Sequence, residues 1–338
     1  MPVTQAAVLT APRAPVAIQP VSIPEPGPGQ VLVEMEACGL CHSDLFITGL
    51  ERLPHAPLIL GHEGIGRIAA LGSDVSGWAA GDRVGLTFLA TTCGTCEWCL
   101  AGRERFCPNQ ANFGYTIDGA LAGYAVAPAA HLVRIPESLP AHAAAPLCCA
   151  GWTAYGAIRE SGVQSGGSLA VFGLGGLGHL AVQFAHRQGI HVAGVDVSPE
   201  KLALARECGA EIALPAENAG RTLQKQHGGV GAAIVFTASP LAVKEAFRSL
   251  QRNGILVLVG LSTSQFELPI SETVVRGVQI RGSYLGTRRD LEEVFHLAEA
   301  GVARTHVETY DLLEIPTLLD RMHRGELLGR AVVSFRQS

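Results

Sequence analysis

The sequence predicts an α/β protein in two parts, a β-rich part followed by a doubly wound parallel sheet. A chain of 338 residues is long enough for two domains. Its 40 glycines suit the many tight turns between strands and helices in such folds. The second half alternates apolar runs of strand length with helical patterns, whereas the first half carries short apolar runs separated by proline and glycine.

In the first half, alternating apolar and polar residues predict a strand at residues 31–37, directly after the turn-forming sequence PEPGPG. Further short strands are expected at 64–71 and 82–86. Their spacing indicates an irregular β domain rather than a series of βαβ units.

The second half opens with a predicted strand at 168–172, a glycine-rich turn and a helix over 177–187. A second apolar strand at 190–195 ends beside Asp196. The turn has the G-x-G-x-x-G pattern, and its residues are Gly173, Leu174, Gly175, Gly176, Leu177 and Gly178. This pattern between a strand and a helix, with an acidic residue after the next strand, predicts dinucleotide binding.

Each of the three pattern glycines has an expected role. Gly173 makes the tight turn, Gly175 lets the backbone approach a pyrophosphate, and Gly178 lets helix and strand pack closely. The helix N-terminus would face the phosphates.

The choice of dinucleotide depends on Asp196. Its carboxylate can accept hydrogen bonds from both adenosine ribose hydroxyls and would repel a 2′-phosphate, so NAD is favoured over NADP. Lys201 and Ser198 follow, and the lysine could partly neutralise a phosphate. Ser198 and Pro199 also suit the N-cap and first turn of a helix.

Further strands are predicted at 232–237, 254–260 and 278–285, with a helix at 241–250. Alternating strands and helices imply a parallel sheet covered on both faces. Beyond residue 286 the pattern continues as a helix at 291–300, a strand, a helix at 315–324 and a last strand at 330–335. The apolar stripe of the 291–300 helix is expected to face a core.

Four cysteines lie in residues 91–108, in a C-x2-C-x2-C-x7-C arrangement of Cys93, Cys96, Cys99 and Cys107. Four thiolates at this spacing can surround one soft cation and leave no open position, which is typical of a structural zinc site. Disulfides and an iron–sulfur cluster are the alternatives.

A second candidate set consists of Cys41, His62 and one of the adjacent cysteines Cys148 and Cys149. Two thiolates and one imidazole with one vacant position describe a catalytic zinc. Taken singly, a histidine is more often a hydrogen-bonded structural residue and a cysteine a small buried one.

Composition excludes several classes of function. The net charge of −5 is scattered along the chain, which argues against nucleic acid and anionic membrane surfaces. Residues 166–185 carry no charge, but their glycines argue against a membrane helix. The first 15 residues do not resemble a signal peptide, and nine cysteines is an odd number, so we expect a cytoplasmic protein.

The motifs CHSD at 41–44, GHEG at 61–64, the four-cysteine stretch, APLCCAGWTAYGA and GLGGLGHLAVQFA occur in this order. With them the chain resembles, over nearly its whole length, the zinc-dependent alcohol dehydrogenases of the medium-chain dehydrogenase/reductase superfamily. The bacterial and yeast branch is the most similar. The resemblance implies a GroES-like catalytic domain of residues 1–150 and 287–338, with a structural zinc lobe at 91–108. It implies a Rossmann NAD-binding domain of residues 151–286.

The resemblance also implies residue roles at the catalytic zinc. Its ligands would be Cys41, His62 and Cys149. Glu63 is similar to a carboxylate that can approach the metal, and Asp44 to the residue that hydrogen-bonds the ligand histidine. Ser43 is similar to the hydroxyl that takes the alcohol proton.

The implied cofactor contacts are His42 and Arg330 at the pyrophosphate and the backbone of Val259, Ser283 and Leu285 at the nicotinamide carboxamide. The implied reaction is hydride transfer between an alcohol and NAD, with zinc stabilising the alkoxide. Two zinc ions per subunit are expected, one catalytic and one structural. A homo-oligomer, a tetramer rather than a dimer, is expected to pair strands near 278–285.

Three departures from the family pattern bear on the substrate. Phe46 stands where close relatives have the histidine that ends the proton relay, which leaves water or another base such as His55. Phe88 and the segment 51–53, with Leu53, stand where ethanol-specialised relatives have tryptophans, and Leu60 replaces a proline. We therefore expect a roomier apolar pocket for medium-chain or aromatic primary alcohols and aldehydes.

Two alternatives remain. A polyol or secondary-alcohol dehydrogenase of the same superfamily would have a similar sequence, although a polyol site needs more polar groups than Phe88 and Leu53 offer. A non-catalytic scaffold that binds NAD and zinc is a more remote one.

Overall fold

The computed structural model describes residues 1–335, which form two compact units. The first unit consists of Met1–Cys149, Thr287–Glu299 and the described residues from Thr305 onward, and the second of Ala150–Gly286 and Ala300–Arg304. The predicted domains differ from these units by one residue at the first boundary and by the segment 300–304. Within residues 1–335, no helix is long and apolar enough to cross a membrane.

Residues 1–149 are rich in short strands. The strands are β1 (Val3–Leu9), β2 (Val16–Ser22), β3 (Gln30–Gly39), β4 (Leu58–Ile59), β5 (Glu63–Leu71), β6 (Arg83–Leu86), β7 (Leu89–Thr91), β8 (Ala111–Asn112), β9 (Tyr124–Pro128) and β10 (Val133–Arg134). The helices are α1 (His42–Thr48), α2 (Glu97–Leu100) and α3 (Ala141–Ala144), with 3₁₀ turns at Glu104–Phe106, Ala129–His131 and Ala145–Cys148.

From residue 150 the chain alternates helices and strands. These are α4 (Ala150–Ser161), β11 (Ser168–Phe172), α5 (Gly178–Arg187), β12 (His191–Asp196), α6 (Pro199–Glu207), β13 (Ile212–Pro215), α7 (Ala219–His227), β14 (Val230–Val235), α8 (Pro240–Ser249), β15 (Leu250–Leu258), α9 (Ile270–Arg276) and β16 (Gln279–Gly282). The remaining elements are α10 (Arg288–Glu299), β17 (Val307–Tyr310), a 3₁₀ turn at Leu312–Glu314, α11 (Ile315–His323) and β18 (Arg330–Ser334).

The second unit contains a six-stranded sheet in the order β13-β12-β11-β14-β15-β16, and all neighbouring strands are parallel. Its inner strands are nearly continuous runs of small and apolar residues because both faces of the sheet are covered. Phe172 of β11, Val195 of β12 and Val235 of β14 lie in one core with Phe247 of α8. The predicted doubly wound parallel sheet is confirmed.

The first unit is built around β3. Its first half pairs with β9, most of its length pairs with β5, and its last residues, Ala37–Gly39, pair with β18. The whole sheet runs β10-β6-β5-β3-β18-β17, with β9 off this path. Smaller sheets are β2-β1-β4 and β7-β8. Val33, Met35 and Leu86 lie in the same core cluster as Val333 of β18.

One predicted strand was too long. The apolar run at 278–285 forms strand only over Gln279–Gly282, and Leu285 adopts a left-handed conformation with φ of 54°. Such a conformation is unusual for a residue with a side chain and ends the extended structure.

At two of the three pattern positions of the glycine-rich turn, a residue with a side chain would not fit. Gly173 has a φ of +90°, which only glycine adopts without strain. A Cβ atom on Gly178 would lie 2.0 Å from the carbonyl oxygen of Gly173, whereas a Cβ atom on Gly175 would meet no atom within 4 Å. The backbone at Gly175 therefore faces open space.

We expect Gly178→Ala to lower the melting temperature by about 4 °C or more, because the added methyl group overlaps a backbone oxygen that cannot move independently. Gly175→Ala is the matched control and should change the melting temperature by less than about 2 °C. Differential scanning calorimetry of the two variants makes the comparison. Equal melting temperatures would contradict the close packing described for Gly178.

Candidate active site and metal centres

Four buried side chains converge in the first unit. The ligand atoms of Cys41, His62, Glu63 and Cys149 all lie within 4.8 Å of one another, and the Sγ atoms of Cys41 and Cys149 are 3.9 Å apart. Cys148 is not part of this group. Its thiol points to the carbonyl oxygen of Gly64 instead, at 3.9 Å. The structure thus brings together the three predicted ligands of the catalytic metal and the predicted nearby carboxylate.

Asp44 connects the two loops that carry Cys41 and His62. It lies in the first turn of α1, and its Oδ2 accepts a hydrogen bond of 2.8 Å from the N–H of Cys41. Its Oδ1 accepts one of 3.1 Å from the N–H of Gly61 and lies 3.4 Å from Nδ1 of His62. Asp44 is fully buried, so its carboxylate holds Cys41 and His62 in place without competition from water.

The imidazole of His62 is buried, and neither of its nitrogens has a hydrogen-bond partner among the described residues. Its Nδ1 faces Asp44, while its buried Nε2 has no hydrogen-bond partner among the described residues. A buried polar atom without a partner costs roughly 1–3 kcal/mol. A metal ion at Nε2 would remove that cost, and two thiols with one imidazole are ligands that zinc prefers. The residues therefore fit a zinc ion.

Glu63 and Arg330 form a buried ion pair beside these ligands. Arg330 Nη2 donates a short hydrogen bond to Oε1 of Glu63, while Oε2 has no partner among the described residues. Burial raises the pKa of Glu63 from 4.5 to about 7, although the charge of Arg330 opposes the rise. Gly39 leaves the space for this carboxylate, since a Cβ atom there would lie 2.0 Å from Oε2.

The remaining predicted residues of this region surround the ligands. The thiol of Cys41 donates to Oγ of the half-buried Ser43 at 3.7 Å, and His42 is exposed. The ring of Phe88 packs edge-on against the imidazole of His62, with 5.1 Å between centroids. Leu53 is half-buried and packs against the same apolar core as Phe88.

The two ligand cysteines influence each other. The hydrogen bond from Cys149 lowers the pKa of Cys41 well below its usual value, and burial only partly opposes this. The same bond raises the pKa of Cys149.

The four cysteines of the 91–108 lobe lie together, and Cys107 is buried while the other three are half-buried. Sγ distances are 3.5 Å for Cys96–Cys99, 3.5 Å for Cys93–Cys107 and 4.0 Å for Cys93–Cys99. These exceed the roughly 2.05 Å of a disulfide, and all four are free thiols. The group contains thiols alone, which fits a closed structural zinc site.

Arg103 braces this lobe. Its guanidinium stacks 5.4 Å from the ring centroids of both Trp98 and Phe106. Cys99 lies on α2, which begins directly after Cys96, so a single helical turn sets the spacing of two thiols.

In the second unit, Asp196 joins the glycine-rich turn to the start of α6. Its Oδ2 accepts a hydrogen bond of 2.7 Å from the N–H of Leu174, and its Oδ1 accepts from the N–H groups of Val197 and Ser198. Ser198 is the N-cap of α6, and its Oγ accepts from the N–H of Lys201, which confirms the N-cap interpretation.

Two hydroxyl groups in this unit were not predicted to have a role. Oγ1 of Thr153 and Oγ of Ser283 are buried and have no hydrogen-bond partner among the described residues. Ser283 was expected to contact the cofactor through its backbone only. Val259, which was expected to do the same, is half-buried and directly follows β15. A single threonine inside an apolar helix forms no pattern, so the sequence carried no signal for Thr153.

The close packing of α4 on the segment after β16 shapes this region. A Cβ atom on Gly156 would lie 2.4 Å from the carbonyl oxygen of Leu285, and one on Gly286 would lie 2.6 Å from the Trp152 ring. Both glycines therefore allow backbone contact that fixes the position of Leu285.

Comparison with known proteins agrees with this geometry. Residues 27–137 match the alcohol dehydrogenase GroES-like domain, and residues 176–300 match the zinc-binding dehydrogenase family. An alcohol dehydrogenase of Geobacillus stearothermophilus is 41% identical over 337 residues, which cover 98% of this chain and 99% of that protein.

Solved structures of dehydrogenases and reductases are also similar to this chain over nearly its whole length. The alcohol dehydrogenase of the hyperthermophilic archaeon Aeropyrum pernix is 33% identical with a TM-score of 0.91, covering 98% of this chain and 99% of that chain. An acetophenone reductase from Geotrichum candidum, solved in complex with NAD, is 28% identical with a TM-score of 0.89, covering 99% and 98%.

A GroES-like unit and a Rossmann-like parallel sheet, with thiol and imidazole groups gathered in the first, define a medium-chain dehydrogenase. The chain belongs to the zinc-binding alcohol dehydrogenase family. It is therefore an oxidoreductase, and the predicted fold class, family and enzyme class are confirmed.

We expect the wild-type chain to bind two zinc ions, and Cys149→Ala to bind one and lose activity because a ligand is removed. Cys148→Ala is the matched control, since that thiol is equally buried but lies outside the ligand group. Metal analysis by mass spectrometry, with activity measured in parallel, distinguishes the two. One zinc ion per wild-type chain, or a fully active Cys149→Ala, would contradict the assignment.

Proposed function

We propose that this enzyme is a zinc-dependent, NAD-linked dehydrogenase that interconverts primary alcohols, medium-chain or aromatic, and their aldehydes. The observation that carries the proposal is the buried set of Cys41, His62 and Cys149 around an imidazole nitrogen without a partner. Such a set offers three ligands and leaves room for a fourth from the substrate.

The protein side chains prepare this metal site. Nδ1 of His62 faces Oδ1 of Asp44 at 3.4 Å, which leaves the Nε2 lone pair available for the metal. A zinc ion held here would act as a Lewis acid and lower the pKa of the substrate hydroxyl. Glu63 adds a carboxylate whose charge Arg330 balances.

Ser43 is the group proposed to receive the proton of the alcohol. It lies two residues from Cys41 and is half-buried, so its hydroxyl can contact both substrate and solvent. Phe46 is on the same helix, is 38% exposed and has no ionisable group. The proton is therefore proposed to leave through water rather than through a histidine at this position.

NAD is the proposed hydride acceptor, and the second unit would bind it. The open backbone at Gly175 faces the pyrophosphate, Asp196 accepts from the adenosine ribose, and the segment around Val259, Ser283 and Leu285 holds the carboxamide. The complex of the Geotrichum reductase with NAD supports this choice of cofactor.

The four-cysteine lobe would hold a second, structural zinc ion. Its thiols are far in sequence from the catalytic ligands and include no imidazole or carboxylate. Free thiols at both sites suit a reducing compartment, so a cytoplasmic location is part of the proposal.

The substrate class follows from the side chains around His62. Phe88 covers one edge of the imidazole, and Leu53 adds a second apolar group to the same cluster. Apolar walls favour alkyl and aromatic groups over polyols, because a polyol would leave hydroxyls without partners. A secondary-alcohol dehydrogenase is the second candidate, supported by the likeness to an acetophenone reductase.

We expect kcat/KM with NAD to be highest for benzyl alcohol and hexanol, lower for ethanol and lowest for sorbitol. Phe88→Trp should narrow the pocket and lower the ratio of benzyl alcohol to ethanol activity by about tenfold, equivalent to about 1.4 kcal/mol. Ethanol is the internal control for loss of fold or cofactor binding. Sorbitol as the best substrate would refute the proposal, and preference for 1-phenylethanol would favour the second candidate.

Assembly into a homo-oligomer, a tetramer rather than a dimer, is part of the same proposal. Strand β16 is at the edge of the parallel sheet, with unpaired backbone groups on its outer side. The adjacent helix α9 exposes Ile270, Val274 and Val275, with Val274 72% exposed. Apolar groups clustered beside a free sheet edge favour pairing with a second copy of β16.

We expect Val274→Asp to reduce the molecular mass in solution by half or more, because a buried charge without a partner would destabilise the contact. Leu241→Asp is the matched control, since Leu241 is 59% exposed in the first turn of a different helix, α8. Light scattering coupled to size-exclusion chromatography measures both. An unchanged mass for Val274→Asp would exclude this surface as the contact.

A further inference from the structure

The first turn of α6 has almost no hydrogen-bond donors left for a ligand. The N–H groups of Val197 and Ser198 both donate to Oδ1 of Asp196, at 2.8 and 3.0 Å. Pro199 has no N–H group. The N–H of Lys201 donates to Oγ of Ser198 at 3.2 Å.

The next donor along the helix is also used. The N–H of Leu202 donates to the carbonyl oxygen of Ser198 at 3.1 Å. The hydroxyl hydrogen of Ser198 goes to Oε2 of Glu200, with 2.5 Å between the oxygens. A helix start is normally a binding site for anions because its N–H groups are free. Here two carboxylates of the chain itself take that place.

Glu200 is charged at neutral pH. The hydrogen bond from Ser198 lowers the pKa of this carboxyl below its usual value, with its own N–H group and the charge of Lys201 adding to the effect. The start of α6 thus has one positive charge, that of Lys201, and two negative charges, those of Asp196 and Glu200.

NAD and NADP differ at the adenosine ribose, where NADP carries a 2′-phosphate instead of a hydroxyl. A hydroxyl can donate to Asp196, but a phosphate needs several N–H or O–H donors and positive charge. Lys201 is the positive charge that the start of α6 offers to a phosphate, and the negative charge of Glu200 lies one residue before it. Removal of Asp196 alone would free the N–H groups of Val197 and Ser198 but leave the Ser198 hydroxyl occupied.

We propose that Glu200 is a second residue that determines cofactor specificity, excluding the 2′-phosphate of NADP together with Asp196. The inference rests on the proposed function, in which Asp196 contacts the adenosine ribose of NAD. Glu200 acts by holding the Ser198 hydroxyl and by repelling the phosphate, without any contact to NAD itself.

The test compares wild type, Glu200→Gln, Asp196→Ser and the double variant, with Glu207→Gln as matched control. Glu207 is exposed at the other end of α6, so its removal changes the net charge equally. Fluorescence titration with NADH and NADPH gives the ratio of their dissociation constants. Thermal melting checks that Asp196→Ser is folded, and Asp196→Asn replaces it if it is not.

We expect the affinity ratio to shift towards NADPH by about threefold in Glu200→Gln and about tenfold in Asp196→Ser. The shift of the affinity ratio in the double variant should exceed the product of the two single shifts, because the phosphate then gains the N–H groups of Val197 and Ser198 and meets neither repulsive charge. Glu207→Gln should leave the ratio unchanged.

Two results would be decisive against different claims. If Glu200→Gln behaves as Glu207→Gln in both backgrounds while Asp196→Ser shifts the ratio, the role of Glu200 is wrong and the cofactor site stands. If Asp196→Ser changes neither NADH affinity nor the ratio, the proposed cofactor contact of Asp196 is itself wrong.

Discussion

The buried carboxylate of Asp44 is the contact on which the candidate catalytic site depends. It accepts hydrogen bonds from Cys41 and Gly61 and faces Nδ1 of His62, so one side chain sets two loops and one imidazole. A fully buried carboxylate destabilises the folded state unless its oxygens accept hydrogen bonds, and both oxygens of Asp44 do so. The arrangement therefore fixes the distance between Cys41 and His62, as a preorganised metal site would require.

A buried ion pair, Glu63 with Arg330, lies beside the same group of side chains. Glu63 and Arg330 are nearly inaccessible to water, and neither could be charged there alone. Thiolates at Cys41 or Cys149 add negative charge, which Arg330 also offsets. Charge in this region is thus balanced within a few residues. A buried network of this kind favours one arrangement strongly, because each broken contact leaves a desolvated charge without a partner.

Local patterns in the sequence predicted the local parts of this protein. The glycine-rich turn and the four-cysteine lobe depend on residues a few positions apart, so their chemistry is visible in the sequence. The Glu63–Arg330 pair joins residues 267 positions apart, and the contact of Phe88 with His62 depends on how β strands pack. No spacing rule contains such contacts. The left-handed Leu285 was missed for a related reason, since its conformation is imposed by packing and opposes its own preference.

The position of β18 has a consequence for synthesis of the chain. This strand lies between β3 and β17, and it carries Arg330 to the ligand cluster. The β3 strand and Cys41 leave the ribosome long before their neighbour in the sheet, because the whole second unit lies between them in the sequence. The second unit is nearly continuous in sequence and can fold while the first waits with an open sheet edge and unligated thiols. Nascent chains are therefore exposed to oxidation and aggregation in the interval before β18 docks.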